Sequence, residues 1–164
     1  MILGMTSFTF IHVLISLVGI VTGLVVAWGL LTSRGLAAWT AIFLATTVAT
    51  SVTGFLFPFN GFTPAIGFGI LSLAILAPAI YALYGRHLDG IWRPVYVVGA
   101  VTALYLNVFV LIVQLFLKVP ALNALAPTQG EPPFQIAQGA ALLLFVAIGF
   151  LSLRTFHPPV ATPA

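Results

Sequence analysis

Residues 8–31 read FTFIHVLISLVGIVTGLVVAWGLL, and no Asp, Glu, Lys or Arg stands among them. Crossing a hydrocarbon core about 30 Å thick takes roughly 20 apolar residues in a helix, and this run is long enough. In lipid, backbone N–H and C=O groups must be satisfied inside the segment, which a helix achieves alone. The run shows no two-residue alternation, so it predicts a transmembrane helix and not a strand.

The same pattern recurs along the chain. Ser33-Arg34-Gly35 closes the first run, and a second spans Leu36 to Phe57 before Pro58-Phe59-Asn60-Gly61. A third runs from Pro64, a residue suited to a first helical turn, to Tyr84. Gly85 to Gly90 breaks the chain before a fourth span, Trp92 to Leu117, and a proline-rich segment precedes the fifth, Phe134 to Leu153. Only 4% of the 164 residues are charged and 62% are hydrophobic, whereas a soluble domain carries charge on about a quarter of its residues. The expected fold class is all-α, a polytopic transmembrane helix bundle. Its five spans cover about 8–31, 36–57, 64–84, 92–117 and 134–153, with a loop over 118–133, in one integral membrane domain over 1–164.

Short loops rich in Lys and Arg mark the cytoplasmic face. With the N-terminus outside and the C-terminus cytoplasmic, Arg34, Arg86, Arg93 and Arg154 fall inside and only Lys118 outside. Trp28, Trp39 and Trp92 then sit at inner helix ends, while Phe8, Phe10, Phe55, Phe57, Phe59 and Phe62 gather at outer ends. Met1 to Met5 lacks a basic n-region, and the first apolar run is longer than a signal peptide's core, so a retained span is expected. The charge pattern and small size fit a bacterial inner membrane. A net charge of +3 is explained by orientation, and no basic helix or RNA-binding signature calls for nucleic acid.

Small residues are expected to carry the packing, because apolar burial gives no preference for protein over lipid. Ala37, Ala41, Ala45, Ala49 and Thr53 form a row at four-residue spacing on the second span. Gly19, Gly23 and Ala27 do so on the first, continuing a line from His12 and Ser16. The short turn between these spans favours packing of one row on the other; a homo-oligomer interface is the alternative. Pro78 removes a backbone hydrogen bond inside the third span and predicts a kink.

Intramembrane polar residues carry the most functional weight. His12 lies roughly 8 Å inside the outer boundary at 1.5 Å per residue. Asn107, Gln114 and Lys118 share a face of the fourth span, and Thr53 and Gln138 fall near the level of His12. Asn60, Lys118, Gln129, Glu131 and Gln135 stand just above. These positions predict an outer-leaflet polar cluster, His12, Thr53, Asn107, Gln114 and Gln138, under a loop bearing Asn60, Lys118, Gln129 and Glu131. Such residues either bind a ligand or hold helices together. Lys118 and Glu131 flank the loop and are candidates to pair across it. Pro120, Pro127, Pro132 and Pro133 stiffen it, with room for a short helix around Ala121–Leu125.

Reactive constellations are sparse. His87 and His157 fall on the side opposite His12, too far to share a haem iron. Three scattered His and two acids cannot build a structural zinc site, and the absence of cysteine removes disulfides and thiolate ligands. Asp89 and Glu131 lie on opposite faces, and no phosphate loop or His-Glu-x-x-His motif occurs. The expectation is no cofactor, no metal and no catalytic residue. The function read from the chain is a non-catalytic accessory or structural subunit of a membrane assembly. The alternatives are an oligomeric transporter, channel or binding protein for a small neutral solute, and a redox or enzyme component with a quinone-like substrate. The bilayer is the expected environment, and a membrane protein or a second copy of the chain the expected partner.

Overall fold

The computed structural model describes residues 6–57 and 64–157. Its helices are α1 (Ser7–Leu31), α2 (Ala37–Gly54), α3 (Pro64–Ile80), α4 (Trp92–Lys118), α5 (Pro120–Leu125) and α6 (Pro132–Thr155). A π-helical turn, Tyr81–Gly85, continues α3. No strand occurs among the described residues. α1, α2, α4, α6 and the segment Ile66–Gly85 are long and apolar enough to cross a membrane, which makes this a helical bundle with five candidate spans.

Local chemistry sets the helix ends. Thr6 caps α1, its hydroxyl accepting from the Thr9 N–H at 3.2 Å. At the other end Ser33 turns left-handed, with φ 55°. Arg34 N–H then reaches the Gly29 carbonyl at 2.8 Å and Ser33 N–H reaches Leu30 at 3.4 Å, the pairing of a Schellman motif. Prolines open α5 and α6, where a missing N–H costs no helical bond.

α4 is the hub and packs against α1, α2, α3, α5 and α6. Tyr96, Val97, Gly99, Ala100, Val101, Ala103, Leu104 and Leu106 are all buried along it. By contrast, α6 buries only Gln138, Phe145 and Ser152, one residue every seven, as in a left-handed helix crossing. The hydrophobic core joins Val26 and Leu30 to Phe43, Leu76, Val97, Leu104, Phe145 and Phe156. It therefore occupies the end of the bundle that carries the arginines. Towards the His12 end burial falls away, and no residue of 7–18 in α1 is buried.

One expectation needs correction. Most of the α2 alanine row is not the packing seam: Ala37, Ala41 and Ala45 are exposed while Ala49 and Thr53 are part-buried, and Thr40, Phe43, Leu44, Thr47 and Ser51 are buried instead. α1 does use its glycines, but the fit is large into small. Gly19 lies against Thr46 and Thr47, and Gly23 against Phe43 and Leu104. Because α1 supplies the small residues, α2 must supply the large ones. At Pro78 the helix runs on to Ile80 and then widens, with Arg86 N–H bonding the Tyr81 carbonyl five residues back at 3.0 Å. A π turn absorbs one extra residue within a helix, and it is the irregularity found near the proline.

Candidate functional site

The polar side chains expected to gather in the outer leaflet are joined in pairs, each linking a different set of helices. His12 of α1 meets Thr53 of α2, Nδ1 to Oγ1, at 2.8 Å. The Thr53 hydroxyl donates to the Ala49 carbonyl at 2.7 Å, so it accepts from His12 Nδ1–H and leaves Nε2 as an acceptor. Phe57 sets its ring edge-on to the imidazole, with centroids 5.1 Å apart, and Phe8 packs on Phe57 in turn at 4.9 Å.

Asn107 of α4 does not join this pair. Its amide donates to Thr47 Oγ1 on α2 at 3.2 Å. Gln138 of α6 donates through Nε2 to the Phe109 carbonyl of α4 at 3.2 Å, while its buried Oε1 has no partner among the described residues. Gln114 is exposed and its side chain makes no hydrogen bond among the described residues. Asn60 lies outside the described residues.

The loop over 118–133 is tied to α4 and to itself. Gln129 donates to the Val113 carbonyl at 3.0 Å and Gln135 to the Gly130 carbonyl at 2.7 Å. Glu131 does not pair with Lys118. Its carboxylate accepts from the Thr128 hydroxyl at 2.8 Å, the Thr128 N–H at 3.2 Å and the Gly130 N–H at 3.1 Å. The Thr128 hydroxyl, with those backbone donors, holds the Glu131 carboxyl below its usual pKa. Donors one and three residues away engage it within its own loop, whereas Lys118 stays exposed at the end of α4.

Sequence reasoning passed over three features. Thr46, Thr47, Thr50 and Ser51 add hydroxyls to α2 beside Thr53. Thr46 and Ser51 bond back to carbonyls four residues earlier, while Thr50 Oγ1 is buried without a partner among the described residues. Their signal was present: α2 has a mean hydropathy of 1.3, the lowest of the five spans. The second feature is Arg93, whose guanidinium donates to the carbonyls of Leu153 at 3.1 Å and Phe156 at 2.7 Å, closing the C-terminal end of α6. No local signal marks a bond between residues 60 positions apart.

The third is a cavity of about 450 Å³ at the arginine end, between the α1–α2 turn, α2, the π turn and α4; Arg34, Thr40, Tyr84, Leu88 and Tyr96 are among its walls. Among the described residues, no group of three His, Asp or Glu side chains is placed to hold a metal ion. No family model matches this chain, and neither a curated protein nor a solved structure matches it.

Proposed function

We propose that this chain is a non-catalytic accessory or structural subunit of a membrane assembly, with its N-terminus outside and its arginine end cytoplasmic, in a bacterial inner membrane. One observation carries the reading. Three intramembrane polar side chains are spent on joining helices: His12 to Thr53, Asn107 to Thr47, Gln138 to the α4 backbone. Bonds of this kind are worth around 1 kcal/mol each in a membrane, and they make a body that packs well and reacts poorly. Its partner is another integral membrane subunit. Native mass spectrometry after gentle extraction from its own membrane tests this. A stoichiometric foreign subunit supports the reading, and a homo-oligomer or a bare monomer from intact membranes overturns it. An impermeant thiol reagent that labels a cysteine placed in the 118–133 loop, but not one at Asp89, supports the orientation.

A second reading rests on the unpartnered Oε1 of Gln138 and the acceptor Nε2 of His12, both in the less buried half of the bundle. In it, His12, Thr53, Asn107, Gln114 and Gln138 line a path for a small neutral solute. A quinone-type ligand at His12 would be bound as the quinol, donating its hydroxyl to Nε2. Replacing His12 by Ala and Gln138 by Leu should then abolish solute binding while the protein still accumulates. Loss of accumulation in both variants would return these residues to a structural role.

A further inference from the structure

The arginine-end cavity continues into a second hollow of about 480 Å³, bounded by Ala41, Leu44, Ala45, Val48, Ile80 and Tyr84. Ala41 and Tyr84 are common to both, so the two form one groove between α2 and α3. Its floor is the alanine row that α1 leaves uncovered. Alanine lacks atoms beyond Cβ, so Ala41 and Ala45 leave a channel where larger residues would close it.

Polarity is graded along this groove. At the helix ends it carries Arg34, Thr40, Tyr84 and Tyr96, and further in it is lined by aliphatic groups with Tyr84 at the junction. Leu88 walls the polar end from a left-handed backbone, φ 63°, a conformation that a leucine holds only when its surroundings impose it. Arg34 is exposed, lies over the Trp28 ring at 5.0 Å and makes no hydrogen bond through its guanidinium among the described residues. Arg93, by contrast, is committed to two carbonyls.

A cation and hydroxyls at the interface, with an aliphatic channel running inward, match an amphiphile standing upright in one leaflet. Basic pockets between transmembrane helices take anionic lipid headgroups. We infer that the α2–α3 groove binds one anionic phospholipid. Its phosphate sits on Arg34, and one acyl chain lies along Ala41, Ala45, Val48 and Ile80.

The test is native mass spectrometry of the whole delipidated protein titrated with phosphatidylglycerol or phosphatidylcholine of equal chain length. One phosphatidylglycerol should be retained with about fivefold preference, the factor that one basic residue gives at a membrane surface. Arg34→Gln should remove the preference. Ala45→Phe should block retention of the lipid with the melting temperature unchanged, because Ala45 is exposed. Equal retention of both lipids, or retention indifferent to Ala45→Phe, would mean annular lipid only and overturn the proposal. So would a photo-crosslinker at Ala41 that captures a protein helix instead of lipid. The lipid titrations do not depend on whether the protein is an accessory subunit, and capture of a foreign helix at Ala41 would overturn the lipid site while supporting that reading.

Discussion

Gly23 of α1 is the space that Phe43 of α2 fills: a methyl group on Gly23 would stand 2.8 Å from the Phe43 ring and 2.5 Å from Leu104 Cδ1. Three helices meet at that point, and Phe43 is only 1% exposed. Overpacking a close-packed contact costs about 1–3 kcal/mol, against a helix-propensity gain of at most about 1 kcal/mol. Gly23→Ala should therefore lower the unfolding midpoint in detergent. Gly139→Ala, where the added methyl meets nothing within 4 Å beyond its own helix backbone and chain neighbours, should leave it level or raise it. Equal stability of wild type and Gly23→Ala would refute the packing.

The His12–Thr53 bond is open to a double-mutant cycle. Interhelical side-chain bonds in membranes couple by about 0.6 kcal/mol on average and about 1.7 at most. His12→Phe and Thr53→Val, singly and together, should return a coupling in that range. A cycle using His12 and Thr47 should return nearly none, since Thr47 bonds Asn107.

Arg93 should matter out of proportion to its position at a helix start. Hydrogen bonds to a charged group contribute about 1.5–3 kcal/mol, and here a guanidinium serves carbonyls at a helix C-terminus, where positive charge is favoured. Arg93→Met should destabilise by about that amount and release the last turn of α6 to hydrogen exchange. Arg154→Met should do little, because its guanidinium only lies over the Phe150 ring, at 4.1 Å.

Glu131 gives the loop a pH dependence. Its carboxyl is held below the ordinary value of 4.5 by the Thr128 hydroxyl and neighbouring donors. A pKa depressed in the folded state adds stability above the unfolded value, and that stability is lost as pH falls through the folded one. Exchange protection at the Thr128 and Gly130 amides should thus be full at neutral pH and disappear in acid below the usual carboxylate range. Glu131→Gln should weaken it at neutral pH and flatten the profile.

The five spans were legible because their causes are local. An apolar run, a proline in a first turn and a polar break each act within the segment that carries them; Pro64 opens α3 as expected, whereas Pro120 and Pro132, read as stiffening the loop, open α5 and α6. The face that α2 buries was not legible. In a water-soluble helix the apolar face points to the core, but in lipid the buried Phe43 and the exposed Ile42 are equally apolar, and only the partner decides between them. Ala41 and Ala45 resembled a seam because small residues permit close approach; whether anything approaches depends on what α1 offers, and α1 offers glycine. The polar cluster was expected as a list of residues at similar depth. Its division into pairs depends on helix rotation, which depth does not report. The end of the first span was legible at 33–35, but the Schellman turn that closes it on a left-handed Ser33, whose hydroxyl oxygen also accepts the His157 N–H at 2.9 Å, was not.

The π turn over Tyr81–Gly85 works as a frame shift. An α-helix advances about 100° per residue, and a π turn accommodates one residue more than the helix requires. Everything beyond Ile80 is thereby rotated by one position relative to an unbroken continuation of α3. Tyr84 walls the groove beside α2 because of that added residue, and shortening the turn by a single position would swing a neighbour into its place without changing composition or length appreciably. A span whose hydropathy is untouched could in this way lose one surface and gain another, so that in this bundle single-residue insertions and deletions between Ile80 and Arg86 are a stronger test of specificity than most substitutions.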